Sequence, residues 1–255
     1  MRVEGRRPAR YRRAVRRLLP VPAEDVDPAD VYGIARHPHS DRPWVVANMI
    51  ASADGAAAVE GRSGGLGGAA DRAVFHLLRS RADVVLAAAG TARVERYRPI
   101  GGPRPIPVAL VSRSLSFDWS MPLFTDAPAR TIIFTCEAAD PMQRRRAAEL
   151  ADVVVAGGDS VEPDLMMAAL VGRGHEVVLC EGGPSLLAQL VDGAVLDELC
   201  LTVSPLLVGG DEPRVLTGPS LPTPSRLTLA SALEDEGFLL LRYLVDHAAG
   251  DPVAP

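Results

Sequence analysis

Three features of the sequence predict an α/β fold with a mostly parallel central sheet, helices on both faces and antiparallel strands at the C-terminal edge. Strand-like apolar runs alternate with helical segments, the pattern of successive β-α-β units. The run Val177-Val178-Leu179-Cys180 stops at Glu181-Gly182-Gly183 and restarts as a helix at Pro184, which is the composition of a strand buried on both faces feeding a helix. Residues 199–203, 227–233 and 238–245 are strand-like with no helix between them, which calls for antiparallel pairing at the end of the chain.

Taken in order, the first 17 residues carry eight arginines against one glutamate, a formal +7, so a chain of net charge −5 leaves −12 on the remainder. An acidic body argues against nucleic-acid binding by the fold, and the basic arm reads as a solvated terminal segment. The arm lacks the apolar core and small-residue cleavage site of a secretory signal. Residues 20–43 are rich in Pro, Asp and His and read as an extended surface segment, so residues 1–42 form a partly disordered Arg/Pro-rich extension. A domain then spans 43–248, followed by a tail, 249–255. Its first strand, 44–52, ends at the turn signal Ala53-Asp54-Gly55. A small-residue loop, 56–68, leads to a helix over 69–81 with Val74, Leu77 and Leu78 at helical spacing. A strand over 83–89 ends at Gly90-Thr91. Strands at 108–111 and 131–135, a helix at 141–150, a strand at 153–155 and a helix at 163–172 lead back to Val177.

Composition excludes several functions. No apolar run approaches the ~20 residues of a membrane span. The three cysteines, Cys136, Cys180 and Cys200, are widely separated in apolar contexts and read as buried free thiols of a cytoplasmic protein. The five histidines are scattered without ligand spacing, so no metal site is expected. All 27 basic residues are arginine, which removes lysine Schiff-base chemistry and the lysine of a Walker phosphate loop.

Ligands of such sheets bind at the carboxyl ends of parallel strands. Four such ends carry reactive or glycine-rich residues: Ser52 to Gly55, Gly90-Thr91, Ser112-Arg113 and Glu181 to Ser185. Gly182-Gly183 is either a loop that lets backbone N–H groups approach a phosphate or a tight strand-to-helix turn. Ser112-Arg113 is either a fork for a 2′-phosphate, distinguishing NADP from NAD, or an exposed turn.

In order and spacing, six motifs over residues 43–245 resemble the bacterial riboflavin-biosynthesis pyrimidine reductase domain. They are Ala51-Ser52-Ala53-Asp54-Gly55, Leu77-Leu78-Arg79, Asp83 through Gly90-Thr91, Glu181-Gly182-Gly183-Pro184-Ser185-Leu186, Leu196-Asp197-Glu198-Leu199 and Ser204-Pro205-Leu206-Leu207-Val208-Gly209-Gly210. The resemblance implies the three-layer dihydrofolate-reductase-like fold and a homodimer. It also implies NADPH-dependent reduction of a pyrimidine or pterin, as in 5-amino-6-(5-phosphoribosylamino)uracil reductase. By the same resemblance Ala51, Gly90, Thr91, Glu95 and the loop Gly182, Gly183, Pro184, Ser185 and Leu186 border the dinucleotide. Ser63, Arg79 and Glu181 face the substrate, and Asp54 is the candidate catalytic carboxyl, either holding a proton through a raised pKa or hydrogen-bonding an aminopyrimidine edge. Its other reading is a turn made with Gly55.

The sequence departs from the family at several places. Asn48 stands where a lysine is usual, Gly64-Gly65 replaces an expected tryptophan, and Arg96-Tyr97-Arg98 replaces an acidic residue and a proline. Loss of the lysine removes a cation near a phosphorylated sugar; Arg96, Arg98 or Arg104 are the candidates to replace it, and Asn48 is itself a candidate substrate contact. No His-x-Glu with a Pro-Cys-x-x-Cys partner occurs, so the resemblance covers a reductase module standing alone, without the zinc deaminase. The competing readings are dihydrofolate-reductase-like activity, a conventional Rossmann dehydrogenase using 64–68 as its dinucleotide turn, and a non-catalytic NADPH-binding module. The Rossmann reading lacks the Gly-x-Gly-x-x-Gly order and an acidic ribose partner.

Overall fold

The computed structural model describes residues 15–247; the arginine-rich arm before Val15 and the tail after His247 lie outside the described residues. The segment expected to lie outside the domain is part of the sheet. Strand β1 (Val15–Leu19) and strand β2 (Ala23–Val26) pair antiparallel. Helix α1 (Pro28–Tyr32) follows, capped by the Asp27 carboxylate, which accepts from the Ala29 N–H at 3.0 Å, with Pro28 in the first turn. Tyr32 is 1% exposed. The break at residue 43 is therefore not a packing boundary, because the polar residues before it serve as partners for carboxylates.

Strand β3 (Trp44–Ser52) begins the parallel part. A short 3₁₀ turn, Ser63–Gly65, precedes helix α2 (Ala69–Arg81), the span predicted from its apolar spacing. Val74, Leu77 and Leu78 bury one face of α2, each such burial contributing about 1.5–3 kcal/mol. Strand β4 (Val84–Ala88) ends sooner than expected, and Ala89-Gly90-Thr91 forms the first turn of helix α3 (Ala89–Val94). Then come β5 (Val108–Val111), the short helix α4 (Pro122–Thr125), β6 (Ile132–Thr135), α5 (Pro141–Leu150), β7 (Asp152–Val155) and α6 (Pro163–Val171). Asp140 caps α5, accepting from Met142 N and Gln143 N. β8 (Val177–Cys180) and α7 (Pro184–Asp192) match the strand and helix of the motif, and β9 (Glu198–Ser204), β10 (Leu227–Asp235) and β11 (Phe238–Val245) complete the chain.

The strand order is β2-β1-β10-β11-β9-β3-β8-β4-β5-β6-β7. From β9 to β7 every pairing is parallel; β11, β10, β1 and β2 extend the sheet antiparallel. The expected antiparallel region is present, with two differences. β9 pairs parallel with β3 on one side and antiparallel with β11 on the other, and β10 is covered by β1 rather than forming an edge. Helices α6 and α7 pack on one face through Met166, Met167, Leu170, Leu186, Leu187 and Leu190. Helices α1 and α2 cover part of the other face, and α4 and α5 the rest, giving the predicted three layers.

Adjacent carboxylates at the start of β9 lock the N-terminal segment to this sheet. Glu198, fully buried, accepts from Arg36 Nη2 at 2.6 Å and Arg242 Nε at 2.9 Å. Burial alone would raise its pKa, but the two guanidinium groups hold it below the usual carboxylate range. Asp197 accepts from Arg42 at 2.7 Å and from the Val45 N–H at 2.8 Å, and His39 lies 2.9 Å away.

Candidate active site

A cleft of about 660 Å³ opens at the carboxyl ends of β3, β8 and β4, between α2 and the sheet. One side of it is made of backbone. Beyond β8, Gly182 has φ +83°, and a Cβ there would lie 3.2 Å from the Met49 sulfur. A Cβ on Gly183 would lie 2.6 Å from Thr91 Oγ1, so the loops after β8 and β4 meet so closely that a side chain there would displace Thr91. The N-terminus of α7 carries no side-chain cap, leaving first-turn N–H groups and the positive dipole end as an anion site. A Cβ on Gly90 would meet nothing, so the floor there is open backbone. These features fit the pyrophosphate of a dinucleotide.

Five of the residues expected to border the cofactor converge: Gly90, Thr91, Glu95, Gly183 and Pro184 line the cleft. Gly182, Ser185, Leu186 and Ala51 do not. Leu186 is 2% exposed within the core, Ser185 faces solvent, and Gly182 and Ala51 lie behind the surface. Side-chain contact from Leu186 is therefore excluded by its packing, and what the α7 turn offers is its backbone. Ser112 Oγ accepts the Leu115 N–H at 3.0 Å, closing a turn after β5, and Arg113 is exposed beyond it, away from the cleft wall.

The rest of the cleft is built from side chains, those of α2 meeting residues that follow β8 and α3. Asp71, Phe75 and Arg79 stand four residues apart and share a helix face. Arg79 and Glu181, both expected to face the substrate, pair with each other: Arg79 Nε and Nη2 donate to the two carboxylate oxygens at 2.6 and 2.7 Å. Tyr97 donates its hydroxyl to Glu181 Oε2 at 2.6 Å, and the Arg79 guanidinium lies 4.2 Å from the Phe75 ring centroid. Burial raises the Tyr97 pKa well above its ordinary value, and the neighbouring Glu181 carboxylate raises it further, so it acts as a donor. Ser63 donates through N and Oγ to Glu95 Oε1 at 2.8 and 3.0 Å, latching the 3₁₀ turn to the C-terminal end of α3. Asn48 lies on the β3 floor, and Arg72, Arg96 and Arg98 line the rim.

Two expectations are revised. Asp54 does not line the cleft. Its exposed carboxylate accepts from Ser52 Oγ at 2.5 Å, Gly209 N at 2.7 Å and Val208 N at 3.1 Å, and these hydrogen bonds lower its pKa to about 2. The raised pKa required of a proton donor is thus reversed, and Asp54 ties the loop after β9 to the turn after β3. Arg104 pairs with Asp83 at 2.9 Å, at the opposite end of β4, and cannot replace the missing lysine. Asp71 was not anticipated; burial raises its carboxyl above the usual range, against the lowering effects of a Thr202 hydrogen bond and nearby Arg72. The signal for it was present: Asp71, Phe75 and Arg79, spaced by four, place a carboxyl and a guanidinium beside the buried stripe of α2.

Comparison with known proteins places the chain among pyrimidine reductases in sequence and fold. The 2,5-diamino-6-ribosylamino-4(3H)-pyrimidinone 5′-phosphate reductase of Methanothermobacter thermautotrophicus is 30% identical over 182 residues, covering 69% of this chain and 83% of the relative. The protein of the same name from Archaeoglobus fulgidus is 26% identical over 211 residues, covering 77% of this chain and 96% of the relative. A pyrimidine reductase-like protein from Corynebacterium diphtheriae superposes with a TM-score of 0.76 at 28% identity, covering 86% of this chain and 98% of that one. The riboflavin biosynthesis reductase Rib7 of Saccharomyces superposes with a TM-score of 0.65 at 15% identity, covering 86% of this chain and 97% of that one, which shows a shared fold. The family model described as the RibD C-terminal domain matches residues 43–240, and the chain belongs to that family.

Proposed function

We propose that this protein reduces a phosphoribosylaminopyrimidine with NADPH, opening the ribosylamino group to a ribitylamino product. The observation that carries the reading is the cleft's two-sided construction. An anion-accepting backbone end lies at Gly90, Thr91, Gly183 and Pro184, and the polar set of Arg79, Glu181 and Tyr97 lines the same cleft. When bound, the nicotinamide supplies the hydride.

The chain's own residues hold and orient the reactants. The α7 turn, Gly182 to Leu186 by backbone, holds the pyrophosphate, with Gly90 and Glu95 bordering it and Ala51 packed behind. Ser112 and Arg113, beyond β5, meet the 2′-phosphate when the adenosine end extends along the strand ends. On the substrate side the Arg79–Glu181–Tyr97 set is fixed before binding, which reduces the ordering needed to align the pyrimidine. Asn48 and Ser63 offer uncharged hydrogen bonds. Without a lysine, the phosphate charge falls to Arg96 and Arg98, which line the rim and, unlike Arg79, carry no carboxylate pairing among the described residues.

Homodimerisation is part of the proposal. Leu199, Leu201 and Val203 on β9 face the same side as Tyr243, Leu241 and Leu239 on β11, and all six are half-buried, an apolar face suited to a second copy. Three buried free thiols support a reducing, cytoplasmic compartment.

The test is turnover with NADPH on three substrates: the ribosylaminopyrimidine 5′-phosphate, its dephosphorylated form, and dihydrofolate. The proposal expects the phosphorylated pyrimidine to be preferred. Preference for dihydrofolate would move the activity to pterins, and binding of NADPH without turnover on any of the three would leave a nucleotide-binding module.

A further inference from the structure

We infer that Asp71 is the proton donor of the reduction, delivering its proton from the first turn of α2 to the nitrogen of the substrate's C=N bond; the inference rests on the reductase reading above. Three carboxyls line the cleft, and two are committed. Glu181 is held by Arg79 and Tyr97, and Glu95 accepts from Ser63. Asp71 is half-buried in the cleft wall, and the Thr202 hydroxyl, 3% exposed on β9, is the polar side chain that acts on its carboxyl from the sheet. A hydroxyl partner orients a carboxyl without neutralising it, so Asp71 can exist in either protonation state.

Position and environment agree with that use. Asp71 lies at the third residue of α2, where the helix dipole favours the carboxylate, yet removal from water outweighs this and holds the proton above the usual carboxyl range. The charged groups sharing the cleft are Arg72, the Arg79–Glu181 pair, Glu95, Arg96 and Arg98. Of these, Arg72 acts on Asp71 and lowers its pKa. Asp71 and Phe75, one helical turn apart on α2, line the cleft together with Ile50 and Asn48 of β3.

The balance of the step is as follows. Opening of the ribosylamine breaks the bond between the anomeric carbon and the ring oxygen; that oxygen takes up a proton, the exocyclic nitrogen releases one, and a C=N bond is left at the former anomeric carbon. A hydride from the reduced nicotinamide adds to that carbon, the π electrons move to nitrogen, and nitrogen takes the Asp71 proton. The dinucleotide is oxidised, the imine becomes a secondary amine, and the Asp71 carboxylate is reprotonated from solvent before the next turnover.

The test joins a direct titration with kinetics. In the free protein, carboxyl-labelled NMR should show Asp71 titrating above the ordinary carboxyl range, and kcat should fall as pH rises through that value. Asp71→Asn should lower kcat by about 10²–10⁴-fold, as for a general acid, with NADPH affinity unchanged and no loss of thermal stability above neutral pH, because the substitution removes a charge that burial disfavours. Thr202→Val removes a contact that lowers the pKa, so it should move the basic limb of the pH profile upward, a shift that a purely structural carboxyl would not produce. Full kcat in Asp71→Asn, or titration of Asp71 below the ordinary range, overturns the inference while leaving the reductase reading standing. Failure of the unmodified protein to oxidise NADPH with any of the three substrates overturns both.

Discussion

The two sides of the cleft are made from different material. Toward α7 and α3 the wall is backbone, shaped by glycines whose added Cβ would strike Met49 or Thr91 or fill open floor. Toward α2 it is side chains, an Arg–Glu–Tyr set and a carboxyl held by a helix and a neighbouring strand. A backbone wall tolerates almost no substitution at its few contact points yet contributes little to stability. A side-chain wall is the reverse: its charged members are buried or half-buried, and removing Arg79 leaves its buried partner Glu181 uncompensated.

The largest expected effect is on the side-chain wall. Arg79→Met leaves Glu181, whose side chain is 3% exposed, without its cation. Stability should fall by about 3 kcal/mol, at the low end for a broken buried pair because the guanidinium is partly exposed. Urea unfolding would show it, and Arg79→Met combined with Glu181→Gln should recover most of the loss. A single variant as stable as the parent would mean the wall is not held by this pair.

On the backbone wall the expected effect is on binding. Gly183→Val drives a side chain against Thr91 and should weaken NADPH more than a hundredfold, about 2.7 kcal/mol, with circular dichroism unchanged. Gly90→Ala sharpens the contrast: its Cβ meets no protein atom, so stability should hold or rise by up to about 1 kcal/mol while NADPH binding weakens. Unaltered NADPH affinity in both would make these glycines turn residues only.

Next is cofactor choice, at the margin of both walls. Arg113→Ala should weaken NADPH by about 1.5–3 kcal/mol, the worth of a charge-assisted contact, and spare NADH. Equal loss for both cofactors would remove Arg113 from the 2′-phosphate.

The smallest effect belongs to Asp54, outside the cleft. Its folded pKa of about 2 lies below the ordinary 3.8, so its anchoring of Val208 and Gly209 is complete above the ordinary value and is lost as pH falls toward about 2. Amide exchange at those two residues should accelerate in that acid window and in Asp54→Asn, while turnover of Asp54→Asn at neutral pH stays near that of the parent. A large loss of turnover would return Asp54 to the chemistry.

The same contrast explains what could be read in the sequence. Strand and helix periodicity located α2, α5, α6, β8 and α7, because each buries one continuous stripe or run. Gly182-Gly183 and Gly90-Thr91 were visible as breaks in those runs, so the backbone wall was legible. The side-chain wall depends on distances between segments far apart in the chain, and sequence alone did not show that Arg79 and Glu181 pair with each other or that Thr202 meets Asp71. Asp54 was misread because an Asp-Gly turn looks the same whether its carboxylate faces a ligand or, as here, the amides of Val208 and Gly209. The segment before residue 43 was misread because its prolines and charges resemble a solvated linker, whereas Arg36 and Arg42 are spent on Glu198 and Asp197.

The central claim is that the cleft transfers a hydride from NADPH to the former anomeric carbon of a phosphoribosylaminopyrimidine. The most direct measurement mixes the protein with that substrate and NADPH deuterated at both C4 positions, then locates the label by mass spectrometry and NMR. The account predicts deuterium on the first carbon of the ribityl chain and none elsewhere in the product. Oxidation of NADPH without label in the product, or no oxidation despite NADPH binding, would contradict it.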